Sequence, residues 1–385
     1  METYPVTDIV SETLAVFVVS TTGTGKEPRA MTPLWNMLLR SDLPPDLFED
    51  LEFAVFGLGD TAYEKFCWPA KKLSRRLESL GATEICPRGE GDDQHTLGVD
   101  GALGPWIEVL THTLLELFPL PSNLHVDSAD ALPPPRVSII DALPDELIHT
   151  QDPLLQDVLY HNAKVLRNER ITAEDWYQDV RHFELQCEDD IAYEPGDVAV
   201  IHPEASPIDV DSFLTTVGWA NDADQPIRIN QTLFDQSLPD HLPPVSTLRT
   251  LFSRYLDVNA VPRRSFFDLL RHFTTDDRER EKLDEFVSTP EGAEDMYDYT
   301  QRVRRTIREV LEEFRSARIP KAYIFDLFPR LRPREFSIAS SVQRHPHEIH
   351  LCVAIVAYRT KLKIPRRGLC TTYLAALRPG ALIPH

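Results

Sequence analysis

Three things are scarce in this chain of 385 residues: positive charge, paired cysteines and long apolar runs. Forty Lys and Arg against 61 Asp and Glu leave a net charge of −21. That balance argues against nucleic acid or an anionic membrane as the main partner and leaves a basic protein surface as the complementary one. The five cysteines (Cys67, Cys86, Cys187, Cys352 and Cys370) include no C-x-x-C pair and are odd in number. They supply no disulfide or zinc framework and fit a reducing compartment. No apolar stretch approaches membrane-spanning length, and the acidic start METYPVTDIVSE has no signal-peptide core, so the cytoplasm is the expected location. A G-x-S-x-G elbow, an H-E-x-x-H pair and a G-x-G-x-x-G nicotinamide loop are absent too. What is present, 42% hydrophobic and 26% charged residues, suffices for the cores of two or three domains.

Residues 14–118 repeat one unit of apolar strand, loop and amphipathic helix. The expected strands are LAVFVVS (14–20), a run suited to burial on both faces, LEFAVFGLG (51–59) and ATEICPR (82–88). The expected helices are roughly 31–40, 68–80 and 101–118, with Gly81 as a stop. Strands alternating with helices imply a parallel, doubly wound sheet. From Pro119 the pattern collapses into a proline-rich acidic stretch, expected to be a linker over 119–156. Residues 157–202 then alternate in antiparallel-strand fashion with a turn at Pro195-Gly196. Charged helical segments follow over about 208–325, and strands return in REFSIASS and EIHLCVAIVAY before a helix at about 369–377.

The stretch VVSTTGTGKEPRAM (18–31) resembles the end of a triphosphate loop but fails two of its fixed positions. The first glycine falls on Ser20, and the magnesium-binding hydroxyl is replaced by Glu27, a carboxylate that repels phosphate. The loop still lies beyond a strand's carboxyl end, where open α/β sheets bind ligands. GLGDTAYEKFCWPAKKL (57–73) and GEGDDQHTLG (89–98) are expected to be further strand-end loops. Together the three make a site for a flat aromatic ligand, with Tyr63 free to stack on a ring and backbone amides at its polar edge.

In this order and spacing, STTGTG, GLGDTAYEKF and GEGDDQ resemble the flavodoxin-like FMN module of the diflavin reductases, the cytochrome P450 reductase family. The resemblance implies that Ser20, Thr21, Thr22, Gly23, Thr24 and Gly25 hold the isoalloxazine ring together with Gly57, Leu58, Gly59, Asp60, Tyr63 and Phe66. Tyr63 stacks on the ring, and Asp92 and Asp93 come from the third loop. Thr22 stands where the family usually has an aromatic covering the other face. RPREFSIASS (332–341) is similar to the signature of ferredoxin-reductase-like FAD domains. There Arg334 pairs with the FAD pyrophosphate, a task suited to a planar fork of donors. Phe336, next to Glu335, packs on the ring, and the Ser337 hydroxyl reaches the reactive N5 edge as the catalytic contact. In RRGLCTTYLAAL the backbone amides of Gly368, Leu369, Cys370 and Thr371 meet phosphate at a helix start, and VPRRSFFDLL sends Arg263 to the same pyrophosphate.

The implied fold is an α/β flavodoxin-like doubly wound parallel sheet lacking its first strand (1–118), followed by the linker. A ferredoxin-reductase-like antiparallel β-barrel with a helical insertion then occupies 157–385. GDDQHTLG, SRYLDVNAVPRRSFF and PRRGLC resemble most the branch that feeds electrons into cytosolic iron–sulfur assembly. In that family NADPH gives a hydride to FAD, and electrons pass through FMN to an acceptor, here an anamorsin-type iron–sulfur protein. Two departures set further expectations. The family's opening strand and phosphate loop do not precede LAVFVVS, which implies an edge strand and weak FMN retention. No nicotinamide domain follows LRPGALIPH, so a fragment unable to oxidise NADPH by itself is expected, with a non-catalytic flavin-binding or interaction module as the alternative. HPHEIH groups His345, His347 and His350, a spacing that a metal site shares with a polar β-turn; the turn is the expected reading and no metal is assigned.

Overall fold

The computed structural model describes residues 4–95, 97–128, 130–157, 160–187, 191–234, 236–360 and 363–384. The chain divides at residues 131 and 132 into two compact units.

The first unit holds β1 (Leu14–Ser20), α1 (Thr32–Leu38), β2 (Glu52–Gly59), α2 (Trp68–Glu78), β3 (Thr83–Glu84), β4 (Gly89–Asp92) and α3 (Asp100–Leu117). Its four strands form one sheet in which β1, β3 and β4 all pair parallel to β2. The period of two along β2 explains the layers. Phe53 and Val55 pack with Leu34, Leu38, Leu73 and Leu77 of α1 and α2, while Ala54 and Phe56 pack with Trp106 and Leu110 of α3. A strand covered on both faces is what a near-continuous apolar run encodes. For residues 14–20 the expectation of burial on both faces fails, whereas that of an edge strand agrees with the sheet order. Phe17 and Val19 are buried, but Val16 and Val18 are 45% and 62% exposed, and β1 pairs only with β2 among the described residues.

The third expected strand is also corrected. Residues 82–88 yield only the two-residue β3, and the expected glycine loop is itself strand β4 through Asp92. The reason is Phe56, whose ring lies across β4. A Cβ on Gly89 would come within 2.3 Å of it, and one on Gly91 within 3.1 Å. These glycines serve close packing, and the loop that follows the strand begins at Asp93.

The second unit opens with β5 (Val137–Asp141) and α4 (Pro144–His149), both inside the expected linker. β5 pairs antiparallel with β9 (Ile227–Gln231), itself paired with β10 (Val245–Ser246), so the linker reading does not hold beyond residue 136. The β framework consists of β6 (Asn162–Arg170), β7 (Val180–Cys187) and β8 (Val198–Ile201), then β11 (Arg334–Ser337), β12 (Glu348–Ala354), β13 (Ala357–Arg359), β14 (Pro365–Arg367) and β15 (Leu382–Pro384). The expected strand at the start of 157–172 touches residues 158 and 159, which lie outside the described residues. The ladders give antiparallel sheets in the order β12-β7-β6-β15, β11-β8 and β13-β14, without a closed ring among the described residues. Between them lie α5 (Pro207–Thr216), α6 (Leu248–Arg254), α7 (Arg264–Phe273), α8 (Asp277–Ser288), α9 (Pro290–Tyr299), α10 (Ile307–Glu313) and α11 (Ile324–Leu327). Phe213, Phe252, Phe267, Phe286 and Phe328 fill the core of this helical block. The chain then enters α12 (Leu369–Ala376), whose Leu374 joins Phe183, Leu185 and Leu351 in the β core.

Candidate functional site

The first unit has a cavity of about 810 Å³ at the carboxyl ends of β1 and β2. Ser20, Thr21, Gly23, Thr24, Gly25, Leu58, Gly59, Asp60, Tyr63 and Asp93 line it, ten of the residues expected from sequence. The 20–26 loop is fixed by its own hydrogen bonds. Thr21 N donates to Leu58 O (2.9 Å), Thr22 N to Lys26 O (2.9 Å) and Lys26 N to Thr22 O (2.9 Å). This closure turns Thr22 Oγ1 onto the carbonyls of Lys26 and Glu27, and Thr22 does not line the cavity. Tyr63 is 66% exposed, so its ring does not belong to the core.

Three other expected residues shape the walls without lining the cavity. At Gly57, within β2, a Cβ would lie 2.8 Å from Ala70 Cβ, so it brings α2 against the sheet. Phe66 is half-buried beneath Lys71, whose Nζ lies 5.1 Å from its ring centroid. Asp92 ties two loops together, accepting from Thr61 N (2.9 Å), Thr61 Oγ1 (2.7 Å) and Gln94 N (3.0 Å). Desolvation pushes its carboxyl upward, but these donors outweigh that and hold it below the usual carboxylate value. Glu64, Lys65 and Val99 also line the cavity; the first two lie inside GLGDTAYEKF and Val99 follows GEGDDQHTLG, but none was assigned a role, because loop closure rather than residue type puts them there.

The second unit brings distant arginines together. Arg263 and Arg334 line one cavity of about 430 Å³ with Arg136, Arg330 and Arg332. Arg263 is the residue that precedes α7, a ten-residue helix whose first N–H groups have no intrahelical acceptor. Arg334 Nη1 donates to the carbonyls of Arg332 (2.7 Å) and Pro333 (3.2 Å), which aims the guanidinium. Asp257, in the same cavity, is raised by burial, with the N–H groups of Asn259 and Ala260 and nearby Arg334 opposing. Arg334 also lies near Cys370, whose thiol burial pushes up to about 11. Gly368 N donates to Val356 O (2.9 Å) and Val356 N to Thr371 Oγ1 (3.1 Å), pinning the α12 start, with Leu369 as its first helical residue. Glu335 and Ser337 are exposed on β11. Phe336 is only half-buried and packs on the β core, so one part of it remains accessible.

Both sites pass a chemical test for a flavin. The first combines an exposed phenol ring, the apolar Leu58 and Val99, and loop backbone that approaches closely, as a planar ring with a polar edge requires. The second offers five arginines, of which Arg136 is ion-paired with Asp326 and Arg330 with Asp240, beside the start of α7, a donor set for a pyrophosphate.

Comparison with known proteins agrees. Residues 156–373 match the FAD binding domain family, and residues 1–106 match the flavodoxin family. A Cryptococcus neoformans protein named NADPH-dependent diflavin oxidoreductase 1 is 38% identical over 422 residues, covering 100% of this chain and 68% of that protein. Its namesake in Mycosarcoma maydis is 38% identical over 441 residues (99% and 67%), and that of Xenopus laevis 39% over 395 residues (98% and 65%). The chain thus spans about two thirds of the length of these relatives.

Proposed function

The chain belongs to the diflavin oxidoreductase family, and from that premise we propose that its two cavities hold FMN and FAD for electron transfer to an acceptor protein. Bound flavins supply the redox chemistry, and the protein supplies position and polarity. In the first unit Tyr63 stacks on one ring face while the 20–25 and 57–60 loops meet its edge. In the second, Arg263 and Arg334 bind the pyrophosphate, the amides of Gly368 to Thr371 meet phosphate at the α12 start, and Phe336 supports the ring. Ser337, exposed at the end of β11, reaches the N5 edge, where its hydroxyl holds a proton donor in place. The β11-β8 and β12-β7-β6-β15 sheets are read as one barrel, a view favoured by the isolated bridge from Ile338, just past β11, to Leu351 of β12. The acceptor is an anamorsin-type iron–sulfur protein with a basic face matched to the net charge of −21. The site of action is the cytoplasm; no helix among the described residues is long and apolar enough to cross a membrane.

The observation that carries this reading is the meeting of Arg263 and Arg334 in one cavity. The test is flavin content. Chain purified under native conditions should release FAD on denaturation, and Arg334→Ala should release several-fold less at unchanged circular dichroism. A well-folded, colourless wild type that binds no added FAD would overturn it and favour a flavin-free interaction module. Dithionite as reductant tests transfer to an acceptor separately from NADPH; adding NADPH instead tests the expectation that these residues alone do not oxidise it.

A further inference from the structure

The antiparallel pairing of β7 with β12 assembles a side-chain cluster that the flavin chemistry does not use. His350 lies directly opposite Glu184 in the ladder, and His182 stands two residues before Glu184 on the same face. From the turn before β12 comes His345, and Glu348 follows on β12 itself. His345 Nδ1 and His350 Nε2 lie 3.2 Å and 2.9 Å from the same Glu348 oxygen. The two imidazole centroids are 4.4 Å apart. The ligand-capable atoms of His345, Glu348 and His350 all fall within 4.8 Å of one another.

We propose that His345 Nδ1, Glu348 and His350 Nε2 bind a divalent transition-metal ion of the Zn²⁺ class, with water at the fourth position. The spacing supports this. Bonds of about 2.0–2.1 Å in a tetrahedral site separate neighbouring ligand atoms by roughly 3.3–3.4 Å. The observed 2.9 and 3.2 Å edges are within a few tenths of that. Two imidazoles and one carboxylate form the donor set of borderline metals rather than of Ca²⁺ or Mg²⁺, which demand oxygen. The set is also held in place. Ser340 Oγ accepts from His350 N (3.0 Å) and lies 2.7 Å from Tyr193 Oη, while His345 N donates to Ser341 O (2.8 Å). Partial burial leaves access for the ion, with the His350 side chain 13% exposed and that of His345 37%.

A second triad, His182, Glu184 and His350, converges equally closely. Its carboxylate is already engaged by the Arg167 guanidinium at 3.2 Å, a fixed positive charge that a dication would have to displace. Glu348 is held by histidines, which give up their protons to a metal. This difference selects the first triad and makes His182 a neighbour. Sequence alone favoured the polar turn, because the approach of His345 to His350 depends on how that turn folds back.

The test uses the untagged full chain, stripped with chelator and kept reduced. Titration calorimetry with Zn²⁺ should show one saturable site. His345→Ala and Glu348→Gln should each weaken it at least tenfold, whereas His182→Ala should leave it within about twofold. Because the exposed Cys352 thiol can also bind zinc, Co²⁺ spectra provide the second readout. A tetrahedral nitrogen–oxygen spectrum without a thiolate charge-transfer band, lost in Glu348→Gln, supports the site. Absent binding, binding unchanged by His345→Ala and Glu348→Gln, or a thiolate band would overturn it. Thermal melting of each apo variant checks folding independently.

Discussion

At the scale of single residues, the first cavity separates positions that build the loop from exposed positions on which the proposed ring contact rests. Gly25 has φ +89°, and a Cβ there would fall 2.6 Å from the Lys65 side chain. Gly23, at φ +47°, has nothing within 4 Å of its virtual Cβ. Gly25→Ala should therefore destabilise the first unit by about 1–2 kcal/mol from backbone strain plus the clash, and Gly23→Ala by less; thermal melts of both variants would show the order. Tyr63 is the opposite case. Its exposed ring contributes little to the fold, so Tyr63→Ala should leave the melting temperature nearly unchanged. FMN affinity should fall about three- to tenfold, on the scale of one aromatic stacking contact. Equal affinities by fluorescence titration would remove Tyr63 from the site. The sequence identified both residues. It did not show that Gly89 and Gly91 serve Phe56, because a glycine needed for a ligand and one needed for a ring look alike in one dimension.

At the scale of elements, α10 is locked at both levels. Thr306 caps it, accepting from Glu309 N at 3.3 Å, while the Glu309 carboxylate returns to Thr306 N at 2.8 Å. The same carboxylate receives Arg366 Nη1 at 2.8 Å, joining the helical block to β14. Desolvation raises Glu309, but Arg366 and the Thr306 donors outweigh it and the net shift is downward. A folded-state value below the unfolded one means that the stabilisation is complete above the ordinary glutamate value of about 4.3. It is lost as pH falls through the depressed value. The melting-temperature gap between wild type and Glu309→Gln should thus be widest near neutrality and close towards pH 3. A gap that stays constant with pH would show that the carboxylate charge is not what matters. The sequence marked charged helical segments over about 208–325, but where this one starts, at Ile307 after the Thr306 cap, is set by the capping contacts.

For the whole molecule, charge and chain exposure lead to two predictions. Residues 119–128, 130 and 131 are exposed and carry no helix or strand, so limited proteolysis should cut there first and leave two resistant fragments. Early cuts at 137–149 would contradict the β5–β9 pairing. With a net charge of −21, electron transfer to a basic acceptor should slow about tenfold or more between roughly 0.05 M and 0.5 M salt, as screening shortens the steering range. A salt-independent rate would mean the acceptor is not selected by charge. By itself the sequence determined the parallel and antiparallel grammar of the two units, the glycine-rich loops at the strand ends and the RPREFS strand. These are local patterns, set by side-chain period and by the backbone freedom of glycine and proline. Only the tertiary structure decided that 137–141 leaves the proline-rich stretch to pair with β9, that Arg263 meets Arg334, and that His345 and Glu348 close on His350. Each of those depends on register between segments far apart in the chain or on how a turn folds back, and a local pattern holds no record of its distant partner.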